Sequence, residues 1–178
     1  MESLFGFRSF PNLAALLTFI SLFLLVGCAK YSDEIQANLT KLTTTKSCSG
    51  FDLTGANLTG ANLNRVNLRG ADLTNANLTN ANLTNAILVK TKFINTNLSH
   101  AKLSYANLNQ SEIFNVVLVD AHMNSAKIIN SKISNSDLTK ANLYRTNLTG
   151  TKLSKVNFED AVFCKTIMPS GQDNSGGK

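Results

Sequence analysis

The stretch ANLTNANLTN at residues 76–85 contains one five-residue unit twice, and related units continue from Phe51 to Ser170. Every fifth residue from Leu53 to Met168 is large and apolar, and these 24 positions hold 16 Leu, 3 Ile, 3 Phe and 2 Met. The residue two places earlier is small in nearly every unit, with 12 Ala, 5 Thr, 3 Ser, 3 Val and one Phe. A period sustained over this length decides the fold.

The five-residue period excludes an ordinary helix or strand. A helix repeats every 3.6 residues and a strand every 2, so neither keeps one residue in five on a fixed face. The chain must therefore coil, with one bulky and one small residue of each unit facing inward. A narrow coil with four sides, one unit on each side, meets this requirement.

The units resemble the A(D/N)Lxx motif of the pentapeptide-repeat family, as at residues 56–60 and 76–80. The resemblance covers about two thirds of the chain. It implies an all-β fold, a right-handed quadrilateral β-helix in which four units complete each coil. Because 24 units at four per coil make about six coils, we expect one solenoid domain over residues 48–170, stabilised by stacking.

Residues 1–27 lie outside the repeat and are typical of a signal peptide. Arg8 precedes an apolar run over residues 13–26, which is too short for a comfortable membrane span. The sequence LVGC at residues 25–28 resembles a bacterial lipobox, which implies cleavage before Cys28 and lipid attachment to its thiol. The alternatives are a plain cleavable signal and an uncleaved anchor. We expect a membrane-anchored lipoprotein of the bacterial cell envelope, facing the periplasm or the exterior.

Both ends of the solenoid have distinctive sequences. Residues 28–47 read as a linker and one short amphipathic helix, because three apolar residues recur at i, i+4 and i+7: Ile35, Leu39 and Leu42. Such a helix would cap the first coil over Leu53 and Leu58. At the other end Pro169 removes a backbone donor, and the polar, Gly-rich tail at 171–178 is predicted to be disordered.

A coil of four units stacks outward side chains in columns. One column repeats a single amide residue, which predicts a ladder of hydrogen bonds that holds the register: Asn75, Asn95, Asn115 and Asn135. Two other columns carry mostly alternating charge: His100, Asp120, Lys140 and Asp160, and Lys92, Glu112 and Lys132. Gly or Asn fills 11 of the 23 corner positions from Gly55 to Lys165, which predicts turns with positive φ.

The outer surface argues against catalysis. Only one set of residues resembles a chemical site, and it lacks a nucleophile, a third strong ligand and a concave pocket: His100, Asp120 and His122. We therefore expect a non-enzyme without cofactor or metal, whose charged columns support the register of the coils.

The net charge and its distribution along the chain argue against two classes of partner, nucleic acid and gyrase. The formal net charge is +6 and most of it lies late in the repeat, but the basic residues are spread over several columns with few aromatic neighbours, which disfavours nucleic acid. Some members of the family mimic DNA and bind gyrase, which needs a strongly acidic rod. The basic charge and the export signal argue against that role.

One group of outward residues is apolar and forms the candidate partner patch: Ile94, Phe114, Val117 and Val119. Tolerated drift in the repeat is the alternative explanation. The sequence thus predicts a lipid-anchored, rigid protein-binding or structural element at the bacterial envelope, with a protein partner of unknown identity. A soluble inhibitor or regulator of a target enzyme, of the gyrase-binding type, is the competing class. Pairing into a homodimer stays open.

Overall fold

The computed structural model describes residues 41–42, 47 and 49–174. Within the repeat, parallel bridges join each residue that precedes a bulky position to its equivalent four units later. Four such ladders run along the rod, and they define its four sides: side 1 through residues 52–152, side 2 through 57–157, side 3 through 62–162 and side 4 through 47–167. The four-unit coil is therefore observed directly.

On side 1 the ladder widens into four strands, each three residues long: β1 (Lys92–Ile94), β2 (Glu112–Phe114), β3 (Lys132–Ser134) and β4 (Lys152–Ser154). They form a parallel sheet in the order β1-β2-β3-β4, with each residue opposite its equivalent in the next coil. Two short strands near the end of the chain, β5 (Thr166–Ile167) and β6 (Asp173–Asn174), pair antiparallel.

The bulky residues form a continuous core along the axis. From Leu53 to Leu148, every bulky residue is at most 6 % exposed. Alanines fill most of the small positions beside them, and Ala56 and Ala106 are both fully buried. Because each side chain packs against the coils above and below, stability comes from stacking and not from any single unit.

The corners of the coil are turns with positive φ. Every residue at the predicted corner position from Gly50 to Lys165 has a φ between 50° and 72°. The Ala56 N–H donates to the Leu53 carbonyl at 3.0 Å, as in a type II turn. The turn prediction is confirmed, and it extends to residues such as Lys90, whose conformation costs about 1 kcal/mol. The Lys90 N–H donates to the Asn109 carbonyl of the next coil at 3.0 Å, which helps to offset that cost.

The polar residues of the motif stabilise the same turns. Asn77 Oδ1 accepts hydrogen bonds from the Thr79 N–H at 3.1 Å and from the Thr79 hydroxyl at 2.7 Å. Asn and Asp favour this local bond with the backbone two residues on. Where a unit contains Asn-Leu-Thr, these bonds stabilise the turn from within the unit, in addition to the hydrogen bonds between coils.

The first four residues of the predicted disordered tail, 171–174, form an ordered segment. The Gly171 N–H donates to the Met168 carbonyl at 2.8 Å, and β6 then pairs with β5. Glycine accommodates the φ of 86° at Gly171, and β6 pairs with the edge of β5 that faces away from the preceding coil.

The predicted capping helix lies mostly outside the described residues. Lys41 and Leu42 are helical, Leu42 is 3 % exposed, and Lys41 Nζ lies 5.2 Å from the centre of the Phe51 ring. The predicted signal peptide and Cys28 also lie outside the described part of the chain. Among the residues that the structure describes, none belongs to a helix with the length and apolar character needed to cross a membrane.

Candidate functional site

The predicted patch lies around the corner between sides 1 and 2, and we refer to its four residues, Ile94, Phe114, Val117 and Val119, as the apolar corner. Phe114 of β2 pairs with Ile94 of β1 and, on its other side, with Ser134 of β3. The Phe114 side chain is outward and 41 % exposed, while Ile94 is half-buried. Two apolar side chains from neighbouring coils are thus held side by side.

The second half of the apolar corner lies on side 2. Val117 is 39 % exposed and bridges Asn97 and Asp137 of the neighbouring coils, so its neighbours along the ladder are polar. Val119 is half-buried. Between the two halves, the chain turns at Asn115 with a φ of 53°, and Val116 enters the core at 1 % exposure. An exposed apolar centre with polar neighbours is the usual composition of a protein-binding surface.

Hydrogen bonds between side chains fix the position of this corner. Asn95 donates to Asn75 Oδ1 at 3.1 Å, and Asn115 donates to Asn95 Oδ1 at 2.8 Å. This is the amide ladder expected from the sequence, although in the described residues it does not extend to Asn135. Because Asn95 and Asn115 directly follow Ile94 and Phe114, the ladder holds the apolar corner in a fixed register.

The charged column of side 1 contains an ion pair. Lys92 Nζ lies 3.3 Å from Asp72 Oδ2, while Glu112 and Lys132 follow in register on β2 and β3. Burial raises the pKa of the Asp72 carboxyl, but hydrogen bonds from the Thr74 hydroxyl and N–H and the nearby Lys92 ammonium outweigh it. The pKa of Asp72 therefore lies below its ordinary value of 3.8. This arrangement stabilises a turn and a register.

The three residues that most resembled a chemical site are not assembled into one. His100 Nδ1 lies 3.9 Å from Asp120 Oδ2, and both side chains are substantially exposed. His122 lies on side 3, where it bridges Lys102 and Asn142. In the described part of the chain, no group of three or more His, Cys, Asp or Glu residues could hold a metal ion.

Two features of the surface escaped the reasoning from sequence. The Asp72–Lys92 ion pair could have been found by extending the column one coil earlier, since the same four-unit step joins both residues. The second feature is the end of the rod. Leu153, Phe158 and Phe163 are only half-buried there, and no described residue pairs with their sides of the coil from beyond. The period itself predicts this exposure.

Comparison with known proteins places the chain in a class and then in a family. The ladders and the buried axis define a β-helical repeat protein. The pentapeptide repeats family model matches in 8 copies over residues 52–88, 76–112 and 141–169, and the chain belongs to this family. The prediction of a quadrilateral pentapeptide-repeat β-helix, with four units in each coil, is thereby confirmed.

Solved structures agree with this assignment. A pentapeptide repeat protein, Rfr23, from the cyanobacterium Cyanothece 51142 is 27 % identical with a TM-score of 0.65, and the match covers 70 % of this chain and 99 % of that one. A pentapeptide repeat protein of the Arabidopsis thaliana thylakoid lumen is 24 % identical with a TM-score of 0.52, covering 66 % and 73 %. None of the curated proteins compared with the chain matches it.

Proposed function

We propose that this pentapeptide repeat protein is a rigid protein-binding rod, held at the bacterial envelope by a lipid on Cys28. The apolar corner carries the binding part of the proposal. Phe114 at 41 % and Val117 at 39 % exposure are costly to leave in water, whereas buried aromatic and aliphatic anchors commonly dominate binding energy. Binding here needs little rearrangement, since the ladder already fixes these residues.

The anchoring part depends on the sequence LVGC at residues 25–28. Acylation of Cys28 would place the start of the mature chain at the membrane and leave the repeat to project from it. A rod attached at one end suits a spacing or docking role. Its apolar corner, in the third and fourth coils of the repeat, would then be available to a protein in the envelope.

The anchor is tested by fatty-acid labelling in bacteria that express the full chain. Cys28→Ser should abolish labelling and move the protein out of the membrane fraction. Cys164→Ser is the matched control, because Cys164 is a free, half-buried cysteine at the far end of the rod and should keep its labelling pattern. Labelling that persists in Cys28→Ser would reject the assignment.

The partner site is tested by crosslinking in the envelope. Ile94→Ser combined with Phe114→Ser should reduce recovery of the partner severalfold while the β-helix stays folded, since both side chains face outward. Ile87→Ser combined with Val162→Ser is the matched control, because both residues are 40 % exposed and lie on other sides. The apolar corner would be excluded as the partner site if the Ile94→Ser/Phe114→Ser variant keeps its crosslinks. It would also be excluded if the control variant loses them to the same extent.

A further inference from the structure

The last coil, residues 151–170, ends the rod with an incompletely covered core. Leu153, Phe158 and Phe163 are half-buried, whereas their counterparts in the preceding coil, Ile133, Leu138 and Leu143, are at most 1 % exposed. Phe158 and Phe163 pack edge to face with ring centres 5.2 Å apart. On side 4, β6 covers β5, but no described residue pairs with this coil from beyond on the other three sides.

The backbone at this end is also incompletely paired. In the preceding coil, the Leu138 N–H donates to the Asn157 carbonyl at 2.8 Å. The equivalent N–H groups of Phe158 and Phe163 have no backbone acceptor among the described residues. On side 1, β4 pairs only with β3 and is the edge of the parallel sheet. An open strand edge of this kind is a template on which an extended peptide adds another strand.

The positive charge at the edge of β4 favours an added strand that carries negative charge. Along side 1 the sign alternates from Asp72 through Lys92 and Glu112 to Lys132, and then Lys152 repeats the positive charge directly opposite Lys132. Like charges in register repel, so an added strand that places another lysine opposite Lys152 is disfavoured. Lys152 and Lys155 are exposed and make no ion pair in the described part of the chain.

The molecule contains an example of a strand that fits between lysines. Strand β2, with the sequence Glu-Ile-Phe, lies between β1 and β3, which both begin with lysine. Its residue at the middle position is buried and its acid is exposed. We propose that the edge of β4 binds an extended acidic segment of a partner protein, which adds as a fifth strand. Its carboxylate would lie opposite Lys152 and its next residue, apolar, beside Leu153.

The test uses the full chain and a fluorescent peptide with the sequence of residues 109–117. A matched peptide carries Lys in place of the Glu. We expect the acidic peptide to bind roughly threefold to tenfold more tightly, and Lys152→Glu to reverse the preference. That variant should fold, because its new carboxylate faces Lys132. Lys102→Glu, on side 3 and away from the edge, should leave the preference unchanged.

Methylation of alternate peptide amides separates strand addition from simple charge attraction. Methyl groups on the ladder-forming N–H groups should abolish binding, since they remove the donors that pair with β4. Three results would overturn the proposal. The acidic and the lysine peptides bind equally, the preference for the acidic peptide survives Lys152→Glu, or the methylated peptide binds fully. The proposal would also be overturned if the protein associates with itself and Lys152→Glu changes that association. A second copy of the chain, and not an acidic partner segment, would then bind the edge of β4. The apolar corner is a different surface, so the two proposals fail independently.

Discussion

The middle of the rod and its last coil have the same sequence pattern but different environments. Leu108, in the middle, is 1 % exposed with coils on both sides of it. Leu153 occupies the equivalent position of its unit on β4 and is half-buried, and among the described residues its strand pairs with the preceding coil alone. The difference shows that the burial of a residue in this fold depends on how many coils flank it and not only on its place within the unit.

The largest expected effect tests this difference at the axis. Leu108→Ala should lower the free energy of unfolding by about 2–5 kcal/mol, because it leaves a cavity in a packed core. Leu153→Ala should cost clearly less, since its side chain already contacts water. Chemical denaturation monitored by circular dichroism measures both.

The control for this pair is Asn107→Ala, one residue from the axis but outward. Its side chain accepts one local hydrogen bond from the Asn109 N–H at 3.1 Å, so the loss should be small. Equal losses from Leu108→Ala and Asn107→Ala would mean that the inside and outside of the coil are misassigned. Equal losses from Leu108→Ala and Leu153→Ala would mean that the end of the rod is covered in solution.

A smaller effect concerns the buried hydroxyl groups of threonines at the small inward position, where the middle of the rod and its last coil should behave alike. The Thr96 hydroxyl donates to the Leu73 carbonyl at 2.8 Å, and the Thr166 hydroxyl of the last coil donates to the Leu143 carbonyl at 2.6 Å. Each bond joins its threonine to the preceding coil, and both the middle of the rod and the last coil have a preceding coil. Thr96→Val and Thr166→Val should therefore each cost about 1 kcal/mol in denaturation experiments. A negligible loss for Thr166→Val alone would indicate that the last coil frays.

The smallest expected effect is a dependence of the free energy of unfolding on pH, caused by Asp72 in the charged column of side 1. The pKa of Asp72 is lowered in the folded protein, so the unfolded chain binds its proton first as the pH falls. The stabilisation is present above about pH 4 and is lost as the pH falls through the folded pKa. Because the carboxylate is partly exposed, the effect should stay below about 1 kcal/mol.

Asp72→Asn isolates this contribution, since Asn77 shows that an amide at the same position of the unit makes the same turn. The stability difference between the wild type and the variant should shrink as the pH falls below about 4, in denaturation curves recorded at several pH values. A difference that stays constant through this range would show that the carboxylate charge is not responsible.

Much of the fold followed from the sequence because the period determines which residues meet. The buried axis, the stacking of equivalent residues four units apart, the positive φ at the corners and the pairing of Ile94 with Phe114 all come from that one regularity. The pairing of β6 did not, because the composition of residues 171–174 contains no information about the strand edge that receives them. The identity of a partner did not follow either, since a ligand contacts the outward positions, where the repeat tolerates many residue types.

The four-unit step between stacked neighbours also has a consequence for how the gene can change length. Removing the codons of four units would shorten the rod by one strand spacing, about 4.8 Å, and return every later residue to its own side. Removing the codons of one unit would keep the buried axis intact but turn all later residues by a quarter of the perimeter. The alternating charges and the amide ladder would then face new neighbours. Insertions and deletions in whole coils should therefore be tolerated far better than those of a single unit.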